Sequence, residues 1–247
     1  MLGGILFTFQ IYGDFSGYSD IAIGTARLFG IDLMRNFDFP YFSRDIAEFW
    51  RKWHISLTTW FRDYIYIPLG GSRCAKSKVV RNTFVIFLVS GLWHGANFTF
   101  VAWGAYHAFL FMPLILAEKN RKNMGVVAEG RILPSFRESF LMGLTFMLVL
   151  LGWIIFRSDS IGDAWAYIHR MFTDFTLTQP VAGKRALLWC AALMSVEWLQ
   201  RGKRHAFEFG NEGLLRYRFV RWGIYYATAM ICLFFRGQQG DFIYFQF

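Results

Sequence analysis

Charged residues are scarce in this chain. They make up 17% of its 247 residues, whereas soluble globular domains carry about 25%. Hydrophobic residues account for 55% of the chain and aromatic residues for 20%. Aromatic rings at this density are typical of proteins whose side chains face acyl tails and line the two membrane interfaces. The composition therefore argues against a soluble domain and indicates an integral membrane protein.

Cysteine is also rare, with 3 residues in the chain. Cys74, Cys190 and Cys232 lie far apart and form no Cys-x-x-Cys pair, so we predict neither a disulfide framework nor a zinc knuckle. The sequence also lacks the His-x-x-x-His and His-Glu-x-x-His spacings. Because a zinc site needs three or four converging ligands, we predict no metal site.

Acidic residues are outnumbered by basic ones, 17 to 26, which gives a net charge of +9. The basic residues fall in short loops between apolar runs rather than on one helical face, which argues against nucleic-acid binding. Residues 118–138 carry five basic and three acidic residues, 157–184 carry three of each, and 201–221 carry six and two. By the positive-inside rule, the first and third loops are predicted to be cytoplasmic, and the second loop and the C-terminal tail to lie outside.

Several apolar runs are long enough to suggest membrane spans. Residues 139–156 contain 18 residues without a charge, enough to cross roughly 30 Å of hydrocarbon. Residues 185–200 and 219–235 are shorter and contain Glu197 and Arg221 near their ends, where charged side chains can reach the headgroups. We predict that all three segments span the membrane.

His94 lies inside another apolar run. A basic loop precedes residue 82, so residues 82–117 are predicted to leave the cytoplasmic side and return to it, with a turn near Gly95–Asn97. A titratable side chain at membrane depth is costly and is usually kept for a function. We predict that His94 lies near a shallow turn that is reachable from outside. The alternative is a structural histidine that bonds a backbone carbonyl.

Residues 40–70 show helical periodicity. Their apolar residues recur at three- and four-residue spacing from Ile46 to Tyr64, with His54 at the border of the apolar face. We predict an amphipathic helix that lies in the interface or re-enters the membrane, rather than one that spans it. Pro40 opens this stretch, and the turn residues 68–71 close it.

The polar and aromatic side chains of this stretch are candidates for substrate binding. Arg51 and Arg62 could bind the phosphates of coenzyme A or of lipid headgroups, although a solvated interfacial face is the commoner meaning of such charges. Trp50 belongs to a stripe of tryptophans that more often anchors a helix at the membrane than binds substrate. Trp93 and Asn97, which flank His94, are the other candidates.

A small polar cluster interrupts the apolar N-terminal region. It contains Asp14 and Asp20 together with three hydroxyl side chains between them. Because buried carboxylates need a partner, we expect these acids to pair with Arg27 or Arg35 and so to hold the fold.

Five motifs resemble those of the membrane-bound O-acyltransferase (MBOAT) family, and most of all its alginate O-acetyltransferase branch. They are Gln10-Ile-Tyr-Gly-Asp-Phe-Ser-Gly-Tyr-Ser-Asp20, Glu48-Phe-Trp-Arg-Lys-Trp-His-Ile-Ser-Leu57, Arg62-Asp-Tyr-Ile-Tyr-Ile-Pro-Leu-Gly-Gly71, Gly91-Leu-Trp-His-Gly95 and Asp241-Phe-Ile-Tyr-Phe-Gln-Phe247. Their order and spacing agree with the family from about residue 5 to the last residue, which makes the resemblance specific.

The resemblance implies a polytopic, all-α transmembrane bundle with interfacial or re-entrant amphipathic helices, formed by residues 1–247 as a single domain. It implies that His94 is the catalytic residue and that His54 occupies the second polar position of the family. The reaction it implies is acetyl transfer from a cytoplasmic thioester, acetyl-CoA, toward hydroxyls of an exported polysaccharide. It further implies a location in the bacterial inner membrane, surrounded by lipid, and an extracytoplasmic, esterase-like partner protein.

Members of this family are longer and carry further N-terminal spans, so the chain resembles a C-terminal part of such a protein. Met1 is followed by apolar and small residues without a basic region, and no signal peptide is predicted. Other functions stay open at this point. One is transfer of D-alanine or another acyl group to a cell-wall polymer, for which residues 65–71 are less typical. The others are an inactive membrane scaffold and a transport component, although no inverted repeat is visible.

Overall fold

The computed structural model describes residues 1–174, 184–209 and 213–235. Over these ranges the chain forms nine α-helices, joined by turns and by short 3-10 or π-helical segments: α1 (Leu2–Leu28), α2 (Ile46–Lys52), α3 (Ile55–Phe61), α4 (Lys76–His94), α5 (Phe98–Leu116), α6 (Phe136–Arg157), α7 (Ile161–Thr173), α8 (Lys184–Gln200) and α9 (Arg218–Phe234). The predicted all-α fold is confirmed. The motif at residues 241–247 lies outside the described residues.

Two of the described helices, α5 and α6, are both long and apolar enough to cross a membrane. They contain 19 and 22 residues, and α6 includes the whole predicted span at residues 139–156. Helices α8 and α9 form where spans are predicted, but each has 17 residues. At 1.5 Å per residue this is about 25 Å, less than the roughly 30 Å of hydrocarbon. That α8 and α9 cross the membrane therefore stays a prediction.

Helices α4 and α5 pack as a tight antiparallel hairpin. A side chain at Gly91 would collide with the carbonyl of Phe100, and one at Gly104 would collide with the carbonyl of Phe87. Glycine at both positions lets the two backbones approach closely, as small residues do between membrane helices. The turn lies at residues 95–97, where the Asn97 side chain accepts from the Thr99 N–H at 3.1 Å and caps α5. The predicted hairpin and its turn are confirmed.

Contacts between loops define two ends of the helix bundle. Asn97 Nδ2 donates to the Asp159 carbonyl at 3.3 Å, which joins residues 95–97 to residues 158–160 at what we call the turn end. Arg201 Nε donates to the Val127 carbonyl at 2.9 Å, which joins residues 117–135 to residues 201–205 at what we call the basic end. The loops with excess positive charge therefore meet at one end of the bundle.

The single amphipathic helix predicted over residues 40–70 is wrong. The segment instead contains a 3-10 turn at Pro40–Phe42, helices α2 and α3, and a π-helical turn at Arg62–Tyr66. The break lies at His54, whose φ of 44° and ψ of 56° are left-handed. A left-handed residue that is not glycine cannot continue a right-handed helix and costs roughly 1–2 kcal/mol.

The path of this segment is nevertheless that of a re-entrant element. It begins at the basic end, where Arg44 Nη2 donates to the Gly125 carbonyl at 2.6 Å. Its bend reaches toward the turn end, where the Trp53 ring lies 4.9 Å from the Trp153 ring. It then returns, and Asn82 Nδ2 near the start of α4 donates to the Leu69 carbonyl at 3.1 Å.

A buried carboxylate holds the start of α2. Glu48 is 1% exposed, accepts from Arg44 Nε and Nη2 at 3.0 Å each, and accepts from Lys52 Nζ at 2.9 Å. Burial raises the pKa of Glu48, but the hydrogen bonds from Arg44 and the charge of Lys52 outweigh it, so the pKa is lower than the ordinary value of 4.5. The arrangement keeps Glu48 charged and ties the two ends of α2 together.

The predicted pairing of Asp14 and Asp20 with arginines is wrong. Arg27 instead lies 3.8 Å from Asp32, and Arg35 pairs with Asp38 at 3.0 Å. Both partners are close in sequence to the arginines, in the segment that connects α1 to the 3-10 turn. Arg27 is also half exposed rather than buried, so it does not compensate a buried acid.

Candidate active site

His94 is the last residue of α4 and lies among aromatic rings from three helices. Its imidazole is half-buried, with ring centroids 5.0 Å from Trp93, 5.4 Å from Trp103 and 5.0 Å from Phe156. Trp103 and Phe156 are buried members of the main hydrophobic cluster. Helices α5 and α6 therefore form apolar walls behind the imidazole.

His54 reaches the same place from the re-entrant segment. Its ring centroid lies 4.6 Å from Phe15 in α1 and 6.3 Å from Trp93. The Trp93 ring is therefore a neighbour of both imidazoles, and 53% of the surface of Trp93 is exposed. The structure brings together His54, Trp93 and His94, although forty positions separate the two histidines in the sequence.

The aromatic cluster beneath the bend holds this arrangement. Trp53, next to His54, is 2% exposed and packs against Tyr12, Tyr41 and Phe49 as well as Trp153. Because dense packing leaves few alternative rotamers, the residue before His54 is fixed on the bundle side. The His54 imidazole then projects toward α1 and Trp93.

Asn36 contacts the residues that follow His54 and was missed by sequence reasoning. Its backbone carbonyl accepts from the Ile55 N–H at 2.9 Å. Its Oδ1 accepts from the Ser56 hydroxyl at 2.5 Å, and the Ser56 Oγ lies 3.4 Å from His54 Nδ1. No motif marks this asparagine, because its partners come from a distant segment.

Two half-buried imidazoles in an aromatic site are suited to proton transfer. A neutral imidazole can accept a proton from a hydroxyl group, and surrounding rings limit competing water. The site can therefore activate a hydroxyl for attack on an acyl group.

His107 lies on α5 below this site. It is fully buried, and its Nδ1 accepts from Trp50 Nε1 at 3.3 Å. A side chain at Gly152 would collide with the His107 ring, so the glycine makes the room that this imidazole occupies. His107 is a polar bridge between α2 and α5. The hydrogen bond to it uses the only N–H of the Trp50 side chain.

The other predicted substrate-binding residues have partners of their own. Arg51 donates to the Asn120 and Asn123 carbonyls at 2.6 and 2.7 Å, at the basic end. Arg62 pairs with Asp63 at 2.7 Å on the surface, and Asn97 caps α5 at the turn end. These contacts fasten loops rather than join the histidine pair, and substrate binding by Trp50, Arg51, Arg62 and Asn97 stays a prediction.

The sequence model of the membrane-bound O-acyltransferase family matches residues 1–152. The match covers α1 to α5 and most of α6, and it includes both histidines. The chain belongs to the membrane-bound O-acyltransferase family. The resemblance seen in the sequence motifs is thereby confirmed. Members of this family are polytopic membrane proteins, in agreement with the all-helical fold.

Relatives within the MBOAT family differ in the groups they transfer. The chain is 46% identical to the probable alginate O-acetylase AlgI of Pseudomonas aeruginosa over 172 residues, which are 70% of this chain and 31% of that protein. It is 39% identical to the peptidoglycan O-acetyltransferase of Helicobacter pylori over 67% of this chain and 30% of the relative. It is 32% identical to the teichoic acid D-alanyltransferase of Bacillus subtilis over 63% of this chain and 41% of the relative.

The chain thus spans about a third of the length of the curated relatives it matches. Residues 1–152, which the family model matches, contain the histidine pair and the re-entrant segment.

Proposed function

We propose that this chain forms the histidine site of a membrane O-acetyltransferase. The protein would move an acetyl group from a cytoplasmic thioester donor, acetyl-CoA, toward hydroxyls of an exported polysaccharide of the alginate kind. The observation that carries the proposal is that His54, at the bend of the re-entrant segment, and His94, next to the α4–α5 turn, both lie against the Trp93 ring.

The chemistry assigns different roles to the two histidines. His94 takes the proton of the acceptor hydroxyl as its oxygen attacks the carbonyl carbon of the thioester. A carbon–oxygen bond forms, the carbon–sulfur bond breaks, and the thiolate leaves and is protonated. His54 accepts a hydrogen bond from a neighbouring hydroxyl of the acceptor and holds it in place.

The orientation of the bundle supports transfer across the membrane. Both loops with excess positive charge lie at the basic end, which the positive-inside rule assigns to the cytoplasm. The re-entrant segment starts at that end, where the donor is made, and His94 lies by the turn end, which faces outward. As the family resemblance implies, the protein would lie in the bacterial inner membrane, in contact with lipid and with an extracytoplasmic, esterase-like partner that passes the acetyl group to the polymer.

Identity favours acetyl transfer over D-alanyl transfer. The acetylases of alginate and peptidoglycan are 46% and 39% identical to this chain, against 32% for the D-alanyltransferase. The alginate relative also has the highest of these three values, which favours an alginate-like acceptor over peptidoglycan.

The test measures acetylation by the full-length protein in the membranes of a strain that makes the polymer. His94→Ala should lower the rate of acetyl transfer by about 10²- to 10⁴-fold, the usual contribution of a general base. His169→Ala is the matched control, because His169 lies on α7, where its neighbour is Thr173. Full acetylation by the His94→Ala protein would overturn the proposal. D-alanine incorporation would instead favour the second acyl group, and flux of substrate without acetyl turnover would favour transport.

A further inference from the structure

Asn36 connects three parts of the chain around His54. Its Nδ2 donates to Ser19 Oγ in α1 at 3.2 Å, and its Oδ1 accepts from the Ser56 N–H at 3.2 Å and from the Ser56 hydroxyl at 2.5 Å. Asn36 is half-buried and lies in the segment between α1 and the 3-10 turn. One amide side chain therefore joins α1 to the first turn of α3.

The same segment holds the backbone on both sides of the left-handed residue. The Asp38 N–H donates to the Lys52 carbonyl at 3.0 Å, two residues before His54, and the Asn36 carbonyl accepts from the Ile55 N–H at 2.9 Å, one residue after it. A non-glycine residue with positive φ persists only where its surroundings over-determine it. Residues 36–38 supply that constraint.

The hydrogen bonds also fix where protons lie. The Ser56 N–H can only donate, so the amide atom that it contacts is the Asn36 oxygen. That oxygen also accepts the single hydrogen of the Ser56 hydroxyl. Ser56 Oγ therefore faces His54 Nδ1, 3.4 Å away, with only lone pairs to offer. A neutral His54 next to this acceptor carries its proton on Nδ1, which leaves a lone pair on Nε2.

We propose that Asn36 is a positioning residue for the transfer reaction, which sets both the place and the tautomer of His54 through Ser56. The inference rests on the proposed function, because it gives the His54 Nε2 lone pair the task of accepting a hydrogen bond from the acceptor. Without Asn36, the Ser56 hydroxyl can turn and donate to Nδ1, which moves the imidazole proton to Nε2. His54 would then present a donor where the reaction needs an acceptor.

The experiment uses the full-length protein reconstituted in lipid, with acetyl-CoA as donor. Asn36→Ala should lower kcat about 10- to 100-fold, as expected when the partner that orients a functional histidine is lost, and should leave the KM for acetyl-CoA within about twofold. Asn36→Asp keeps an oxygen for the Ser56 hydroxyl and should restore most of kcat. Ser56→Ala removes the hydroxyl that lies between Asn36 Oδ1 and His54 Nδ1 and leaves residues 36–38 unchanged. It should lower kcat as Asn36→Ala does.

Asn82→Ala is the matched control. Asn82 is a buried asparagine whose Nδ2 also fastens a turn, by donating to the Leu69 and Gly71 carbonyls. Its loss should reduce the yield of folded protein and leave kcat per folded molecule unchanged.

A second measurement reports on the tautomer directly. Nitrogen-15 NMR of protein labelled at histidine, with the His54 signals assigned from a His54→Gln variant, should show the proton on Nδ1 in the wild type. The proton should shift toward Nε2 in the Asn36→Ala protein. An Nε2 proton in the wild type, or a tautomer unchanged by Asn36→Ala, would overturn the inference.

The kinetics separate the two proposals. Loss of kcat in His54→Ala together with full kcat in Asn36→Ala would overturn the inference and leave the proposed function standing. Full kcat in both His94→Ala and His54→Ala would overturn the proposed function itself, whatever the tautomer of His54.

Discussion

Three of the predicted substrate-binding side chains use their hydrogen-bond donors within the protein. They are Trp50, Arg51 and Asn97. Each offers a donor that suits a phosphate or a sugar, and each donates to another residue: Trp50 to His107, Arg51 to Asn120, and Asn97 to Asp159. Trp93 differs, because its ring is half exposed and touches both imidazoles. Among the predicted substrate-binding residues, Trp93 is the one whose surroundings place it in the site.

At the scale of single residues, Glu48 makes the stability of the protein depend on pH. Because the pKa of Glu48 is lower in the folded protein than the ordinary 4.5, the unfolded chain binds more protons in that range. Its stabilising contribution is therefore present above about pH 4.5 and is lost as the pH falls through the lower folded pKa. The melting temperature in detergent should therefore decrease as the pH is lowered below about 4.5.

The Glu48→Gln variant isolates this contribution. At pH 7 it should be less stable by about 3 kcal/mol, because Arg44 and Lys52 lose the charge that compensates them. Its melting temperature should also depend less on pH below 5 than that of the wild type. Equal pH dependence in the two proteins would show that Glu48 is not the group responsible.

At the scale of elements, the site depends on two hairpins that both start at the basic end and bend toward the turn end of the bundle. The α4–α5 hairpin carries His94 next to its turn, and the re-entrant segment carries His54 at its bend. Helices α2 and α3 have seven residues each, too few to be stable alone in water. Their positions are set by Glu48 at one end and by Asn36 at the bend.

The α4–α5 hairpin should tolerate no side chain at its closest approach. Gly91→Ala would collide with the Phe100 carbonyl and should destabilise the protein by about 1–3 kcal/mol through overpacking. Gly24→Ala on α1 is the control, because the added Cβ meets open space among the described residues, and it should be neutral or slightly stabilising. Thermal unfolding in detergent measures both. Equal melting temperatures for the two variants would contradict the close packing.

At the scale of the whole molecule, the sequence predicts those features that depend on local chemistry. The uninterrupted apolar run of α6, the α4–α5 turn and the gathering of basic loops at one end follow from hydropathy and charge alone. The break at His54 cannot be predicted in this way. Its left-handed conformation is imposed by the backbone hydrogen bonds that Asn36 and Asp38 make to the residues on either side of it. The sequence predicts that Arg27 or Arg35 pairs with Asp14 and Asp20, whereas Asp32 and Asp38 are nearer along the chain and pair with these arginines.

The meeting of His54 and His94 also lies beyond local pattern. The motif resemblance names both histidines, but their arrangement around Trp93 requires α1, α4, α6 and the re-entrant segment to pack together. Asn36 carries no motif at all and gains its role only from where Ser19 and Ser56 lie in space.

If His54 and His94 act as one site, initial rates of acetyl transfer by the full-length protein will show it. The rates are compared for His54→Ala, His94→Ala and the double variant, at equal amounts of folded protein. Residues that act as a unit give non-additive losses. We therefore expect the double variant to be no slower than His94→Ala alone. Losses that multiply in the double variant, or a His94→Ala protein with the full rate, would contradict it.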